Sequence, residues 1–244
     1  MAHEITPKEV ETMKKIFLVL AMLSLSAIGW ADDTRDAAID RLHHAAEVLR
    51  QVMATPDKGI PQEVMDHARC VAVVPHLVKG GFVFGAEGGR GVATCRTDHG
   101  WSAPAFFDVE GGSFGFQIGV EGIDLVMIIQ NDRGMQQLLG SKFEIGGDAS
   151  AAAGPVGRHA SADTDWKLNT EILTYSRARG VFAGVSVKGA AVHRDEDAMR
   201  AFYGPGVSVR ETLRGDVPPP PAAMGFLDAV RSARGQAKAA KDGE

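Results

Sequence analysis

Cys70-Val71-Ala72-Val73-Val74-Pro75, followed after a short turn by Gly81-Phe82-Val83-Phe84-Gly85-Ala86, is where the hydrophobic spacing changes from helical to a period of two. A period of two over short runs bounded by glycine and proline is the pattern of strands. Gly91 to Arg96 is a further run, and Glu87-Gly88-Gly89-Arg90 between them reads as a hairpin turn. The alternation is cleanest in Ser113 to Val120, where Phe114, Phe116, Ile118 and Val120 share one face and Ser113, Gly115, Gln117 and Gly119 the other. A face with so little side-chain volume lets another backbone approach closely, which suits a curved sheet better than a flat one. The expectation is a single α+β domain: a curved, mostly antiparallel sheet, partly closed like a barrel, packed with a few helices.

Outward from this centre, Ala38, Ile39, Leu42, Ala45, Ala46, Leu49, Val52 and Met53 recur at helical spacing behind a cap at Asp33 or Thr34. The opposite side of that helix carries mixed charge. A short helix is expected from Pro61 to Ala68, with proline in its first turn. Further strands are expected at Trp101 to Glu110, closed by Gly111-Gly112, and at Asp124 to Gln130. Asp132 is expected to cap a helix ending near Leu139, with strand-like Lys142 to Ile145 after it. Arg158 to Leu168 reads as an exposed loop. A meander follows through Glu171 to Ser176, Val181 to Lys188 and Ala190 to His193, and Asp195 caps a helix through Phe202.

The ends of the chain read differently. Met13-Lys14-Lys15 precedes the apolar run Ile16 to Leu25, and small residues at Gly29 and Ala31 form a signal-peptidase pattern. The run falls short of the roughly 20 residues a membrane span needs. Residues 1–31 are therefore expected to be a signal peptide with an upstream extension, translation starting at Met1 or Met13, and the remainder is expected in the periplasm or cell envelope. Roughly 210 residues then remain, within the size of one domain, assigned to a domain over 32–210. Residues 211–244 are expected to be a proline-rich spacer, Pro218 to Pro221, and a basic tail that is amphipathic or frayed.

A net charge of −5 provides no global basic field for nucleic acid. The two cysteines, Cys70 and Cys95, lie in expected strands, and an oxidising compartment permits a bridge between them. His67 and His99 would add zinc-type ligands, but they fall at opposite ends of their elements, and no metal is expected. No Gly-x-Ser-x-Gly elbow, phosphate loop or dinucleotide fingerprint occurs, so no catalytic role and no cofactor are implied.

Several strings, in order, resemble the SYLF family of lipid-binding domains: Ala72-Val73-Val74-Pro75, Lys79-Gly80-Gly81-Phe82-Val83-Phe84-Gly85, Gly89-Arg90-Gly91-Val92 and Trp101-Ser102-Ala103-Pro104-Ala105. Gly112 to Gly119, Asp124-Leu125-Val126, Gly154 to Arg158, Tyr175 to Gly180 and Phe182 to Val185 continue the match, which covers residues 34 to 204. The resemblance implies a non-enzymatic α+β domain that binds phospholipids, with phosphoinositides and actin filaments as partners in eukaryotic relatives. For an exported chain, the expected partner is a phospholipid surface of the envelope, with actin unlikely; the alternative is an envelope protein-interaction module. Phosphate headgroups need exposed cations, which makes Lys79, Arg158, Arg177 and Arg179 the candidate lipid contacts.

Overall fold

The computed structural model describes residues 35–54, 59–81, 84–114, 119–155, 170–178, 181–184 and 189–242. The expected leader, both caps proposed for the first helix, and the loop at 158–168 lie outside the described residues. The chain begins with helix α1 (35–53) and α2 (Gln62–His67), followed by β1 (Cys70–Gly81), β2 (Phe84–Thr97), β3 (Gly100–Trp101), β4 (Ala105–Phe114) and β5 (Gly119–Ile129). Then come α3 (Asp132–Leu138), β6 (Lys142–Glu144), β7 (Ala151–Ala153), β8 (Ile172–Ala178), β9 (Val181–Gly184) and β10 (Ala191–Arg194). Helices α4 (Glu196–Tyr203), α5 (Val209–Arg214) and α6 (Met224–Asp242) complete the described part.

The strands form one curled, mostly antiparallel sheet in the order β6-β10-β4-β2-β1-β5-β8-β7, with β3 on β2 and β9 on β8. The expected α+β class with a curved sheet is what the structure has. Its strand plan differs in four ways. Glu87-Gly88-Gly89-Arg90 is not a turn, because β2 runs straight through it. Pro75 to Gly81 is likewise part of β1, and Gly111-Gly112 part of β4. These glycines sit in strands because of what lies against them. A Cβ on Gly89 would fall 2.7 Å from Val74, and one on Gly91 would fall 2.2 Å from the Phe107 ring, distances no side chain tolerates. Lastly, β10 does not continue a meander; it pairs with β4 and β6.

Two helical layers cover the sheet. On one face α1 lays its buried stripe, Ala38, Leu42, Ala45, Leu49 and Val52, across Val73, Val92, Phe106, Val126 and Tyr175, one residue from each of five neighbouring strands. Helix α4 packs beside it through Phe202, whose ring meets Phe106 at 5.2 Å. On the opposite face, Leu138 of α3 and Val209 and Leu213 of α5 pack against Ala93, Phe107, Phe143 and Val192. Asn131, one residue before Asp132, caps α3 by accepting from the Gly134 amide; Asp195 caps α4 as its position suggests.

The C-terminal stripe is not a tail. Phe226, Leu227, Val230 and Ala233 are buried, and Arg234 pairs with Asp66 of α2 at 3.3 Å. Neither alternative expected of this segment, an amphipathic stretch on a membrane or a frayed tail, describes these residues: their apolar side is used inside the fold, and packing continues well past 210. Cys70 and Cys95 are directly opposed in β1 and β2 and joined by a disulfide, both fully buried.

Candidate functional site

A row of polar residues crosses the α1 face of the sheet. Cross-strand partners share a face, so the register aligns Arg177 of β8 with Asp124 of β5, and Arg90 of β2 with Asp108 of β4, His193 of β10 and Lys142 of β6. Between the two halves β1 carries a bulge, where its register shifts between Val73 and Val78. At the bulge His76 adopts a left-handed backbone (φ 58°), and its amide donates to Asp124 Oδ1 at 3.2 Å. Extra residues at a bulge re-aim a side chain, and here the imidazole is turned outward, 75 % exposed.

Helix α1 lies along this row, and Arg41, His44 and Gln51 of one helix edge meet it in turn. Arg41 Nη2 donates to Asp195 Oδ2 at 2.9 Å and Nη1 to the Gly91 carbonyl at 3.3 Å, while its guanidinium stacks 5.3 Å from the Phe106 ring centre. This pair is almost dry, with side chains 6 % and 10 % exposed. Burial lowers the Arg41 pKa, opposed chiefly by Asp195. Burial raises the Asp108 pKa, with the Asp195 charge adding to it. Asp108 Oδ1 is buried with no hydrogen-bond partner, and Arg90 Nε stands 4.0 Å away. Farther along, the ring of His44 meets that of His76 edge to face at 5.8 Å. Gln51 accepts from Arg177, which also grips Asp124 through Nη2 at 2.9 Å and Nε at 3.2 Å.

Two of the four expected lipid contacts can be placed. Arg177 is the tie between β8, β5 and α1. Lys79 pairs with Glu87, its register partner on β2, at 2.7 Å. Neither is a free cation, since each carries a carboxylate partner that neither composition nor periodicity displays. Arg158 and Arg179 lie outside the described residues. His76, Arg41, Asp108 and Asp124 carry no sequence signal for a binding or framework role beyond the Pro75-His76 break in an otherwise apolar strand, and Asp195 was legible as a helix cap but not as the partner of Arg41.

Beyond the row, the described residues leave the α1 side of the sheet open. Register places Gly122, Val78 and Gly88 side by side there, next to Arg90 and Asp124. Val78 is 48 % exposed, Ala86 and Gly112 are exposed, and nothing lies within 4 Å of where a Gly122 Cβ would be. Within the opposite layer, the enclosed apolar space lined by Phe107, Leu138, Phe143, Val192 and Leu213 amounts to about 10 Å³. That is room for one water and not for an acyl chain.

Comparison with known proteins decides the family. The family model described as Ysc84, Las17-binding protein actin regulator, matches residues 110–233. The chain belongs to the Ysc84 (SYLF) family. The rat SH3 domain-containing YSC84-like protein 1 is 34 % identical over 195 residues, 77 % of this chain and 57 % of its own length. Protein YSC84 of Saccharomyces cerevisiae is 35 % identical over 199 residues, 77 % of this chain and 42 % of its own. LAS seventeen-binding protein 3 from the same species is 35 % identical over 172 residues, 68 % and 37 % respectively. The chain thus spans between about a third and somewhat over half of these relatives. The expectation that actin is an unlikely partner is overturned: the Ysc84 family is described as an actin regulator, and a yeast relative is named for binding Las17. That expectation rested on export alone, and family membership outweighs it.

Proposed function

We propose that this Ysc84-family chain is a non-enzymatic binding domain that works on phospholipid surfaces, exported to the cell envelope by the segment at 13–31. The observation that supports it is an exposed apolar side chain, Val78, on a stretch of sheet that the described helices leave open, beside Arg90 and His76, which are 70 % and 75 % exposed. Apolar surface bordered by a guanidinium and an imidazole suits the boundary between acyl chains and phosphate headgroups. Contact in this reading is on the outer surface that carries Val78. A framework role is favoured over catalysis for Arg41 and Arg177, which are engaged in close ion pairs with Asp195 and Asp124. Flotation of the mature protein with phosphatidylcholine vesicles, with and without phosphatidylglycerol, tests the reading. Protein that stays at the bottom of both gradients refutes it.

A second reading is favoured by the family description, contact with proteins that regulate actin assembly. Co-sedimentation with actin filaments, and with a Las17-type partner added, tests it; a pellet free of the protein under both conditions counts against it. Export has its own measurement, the N-terminal sequence of the protein recovered from cells. A start near Asp32 is expected, and an intact residue 13–31 segment refutes it.

A further inference from the structure

We infer that His44 and His76 form a binding pair for the phosphate of an anionic phospholipid headgroup, with Val78 beside them meeting the start of the acyl chains. The inference rests on the phospholipid reading above and assigns that reading a site.

The backbone of His76 is the first support. A non-glycine residue in the left-handed region is strained, and here the strained residue is an exposed imidazole that fills no core space. Its Nδ1 lies 4.0 Å from Asp124 Oδ1, so the carboxylate stands on that edge of the ring and Nε2 is on the other. The second support is that the pair is assembled from two elements. His44 comes from the exposed edge of α1 and His76 from the β1 bulge, and their rings meet edge to face at 5.8 Å. Both are donors to a phosphate oxygen when protonated.

The surrounding charges make the third support. Of the carboxylates near the pair, Asp124 on β5 is held by Arg177 of β8. Glu47 on α1 accepts from Gln51 at 2.7 Å. Asp108 on β4 lies within reach of Arg90 and Arg41. Asp40, one turn before His44, is exposed to solvent. The nearby full cation on an exposed side chain is Arg90, opposite the bulge on β2, whose partner Asp108 is no closer than 4.0 Å. An anion arriving at the two imidazoles therefore meets acids already engaged or hydrated, and a guanidinium loosely held. Val78, two positions beyond His76, shares the face of Arg90 through its register with Gly88, so the apolar and cationic parts lie side by side.

The test compares the full chain with His44→Ala, His76→Gly and the double variant. His76→Gly suits the left-handed backbone, so it removes the imidazole while keeping the fold, and thermal unfolding checks this directly. Binding is read by flotation with phosphatidylcholine vesicles containing a minority of phosphatidylglycerol, at about pH 7.5 and about pH 5.5, either side of the usual imidazole range. The expected result is stronger binding at the lower pH for the parent. Each single variant drops binding about tenfold at that pH, the loss of one charge-assisted hydrogen bond, and the double variant about a hundredfold, with the pH effect gone. An excess of inorganic phosphate should displace the protein only weakly, because the bilayer also engages Val78. Parent and double variant floating equally at both values overturn the site and leave the lipid reading standing. A parent that floats with no vesicle overturns both. Complete displacement by inorganic phosphate overturns the headgroup assignment.

Discussion

Replacing Arg41 by Met tests what holds α1 on the sheet. The substitution keeps the length of the side chain and removes its charge. It leaves Asp195 buried without its cation, and Asp108 without one of the two charges that oppose its burial. Removing one member of a buried pair costs about 3 to 5 kcal/mol, most of it from the stranded partner. The lost stacking on Phe106 adds about 0.5 to 2 kcal/mol. Against a typical total of about 5 to 15 kcal/mol, that is a large share. Asp195→Asn is milder, because Asn still caps α4 as well as Asp does, and the Arg41 guanidinium keeps the Gly91 carbonyl. If the stranded anion is the main cost, Arg41→Met with Asp195→Asn together is more stable than Arg41→Met alone, and the cycle shows a coupling of about 1 to 3 kcal/mol. Urea unfolding of the four proteins, followed by circular dichroism with slopes compared, measures it. Single effects that add within about 0.5 kcal/mol, or an Arg41→Met loss under about 1 kcal/mol, refute the reasoning.

Further outcomes follow from the packing. Breaking the Cys70–Cys95 bridge by paired Ala substitution frees a loop with 25 residues of separation and should cost about 3.5 kcal/mol by the chain-entropy relation; an unchanged urea midpoint counts against this. Because both sulfurs are buried, thiol labelling of the native protein should stay silent under mild reductant and appear on unfolding. Gly154→Ala would set a Cβ 2.1 Å from the Tyr175 ring, an overpacking expected to cost about 1 to 3 kcal/mol, and a thermal midpoint equal to the parent's would show that the ring can move aside. For Asp108 the fold raises the pKa, so the folded chain holds that proton more tightly than the unfolded one. Its contribution favours folding at acid pH and is lost as pH climbs from the ordinary carboxylate range through the raised value. Asp108→Asn should therefore flatten the stability profile across that window, and urea midpoints that fall equally with pH in both proteins would refute it.

Local pattern carried a good deal of this protein. Helix α1 was legible because its apolar residues recur every three or four positions, and that stripe is what it buries. The strand-rich centre and the curvature of the sheet were legible from alternation and small residues, and the family from strings that keep their order. Glycines misled where they were taken as turns: Gly89 lies inside a strand because Val74 and Leu77 occupy the space a side chain would need, and those neighbours are known only from the fold. The use of charge was hidden for the same reason. Lys79 and Arg177 look like free cations in one dimension, and only pairing across strands puts Glu87 and Asp124 against them. Arg41 and Asp195 are 154 residues apart. By itself the sequence determined that an amphipathic helix and a curved sheet would form, since each depends on near neighbours, and it permitted a cysteine bridge that only the register of β1 on β2 decided. The tertiary structure decided which charges are buried, which are paired and which face water, because register, the β1 bulge and the return of β10 to β4 are set by packing between distant segments.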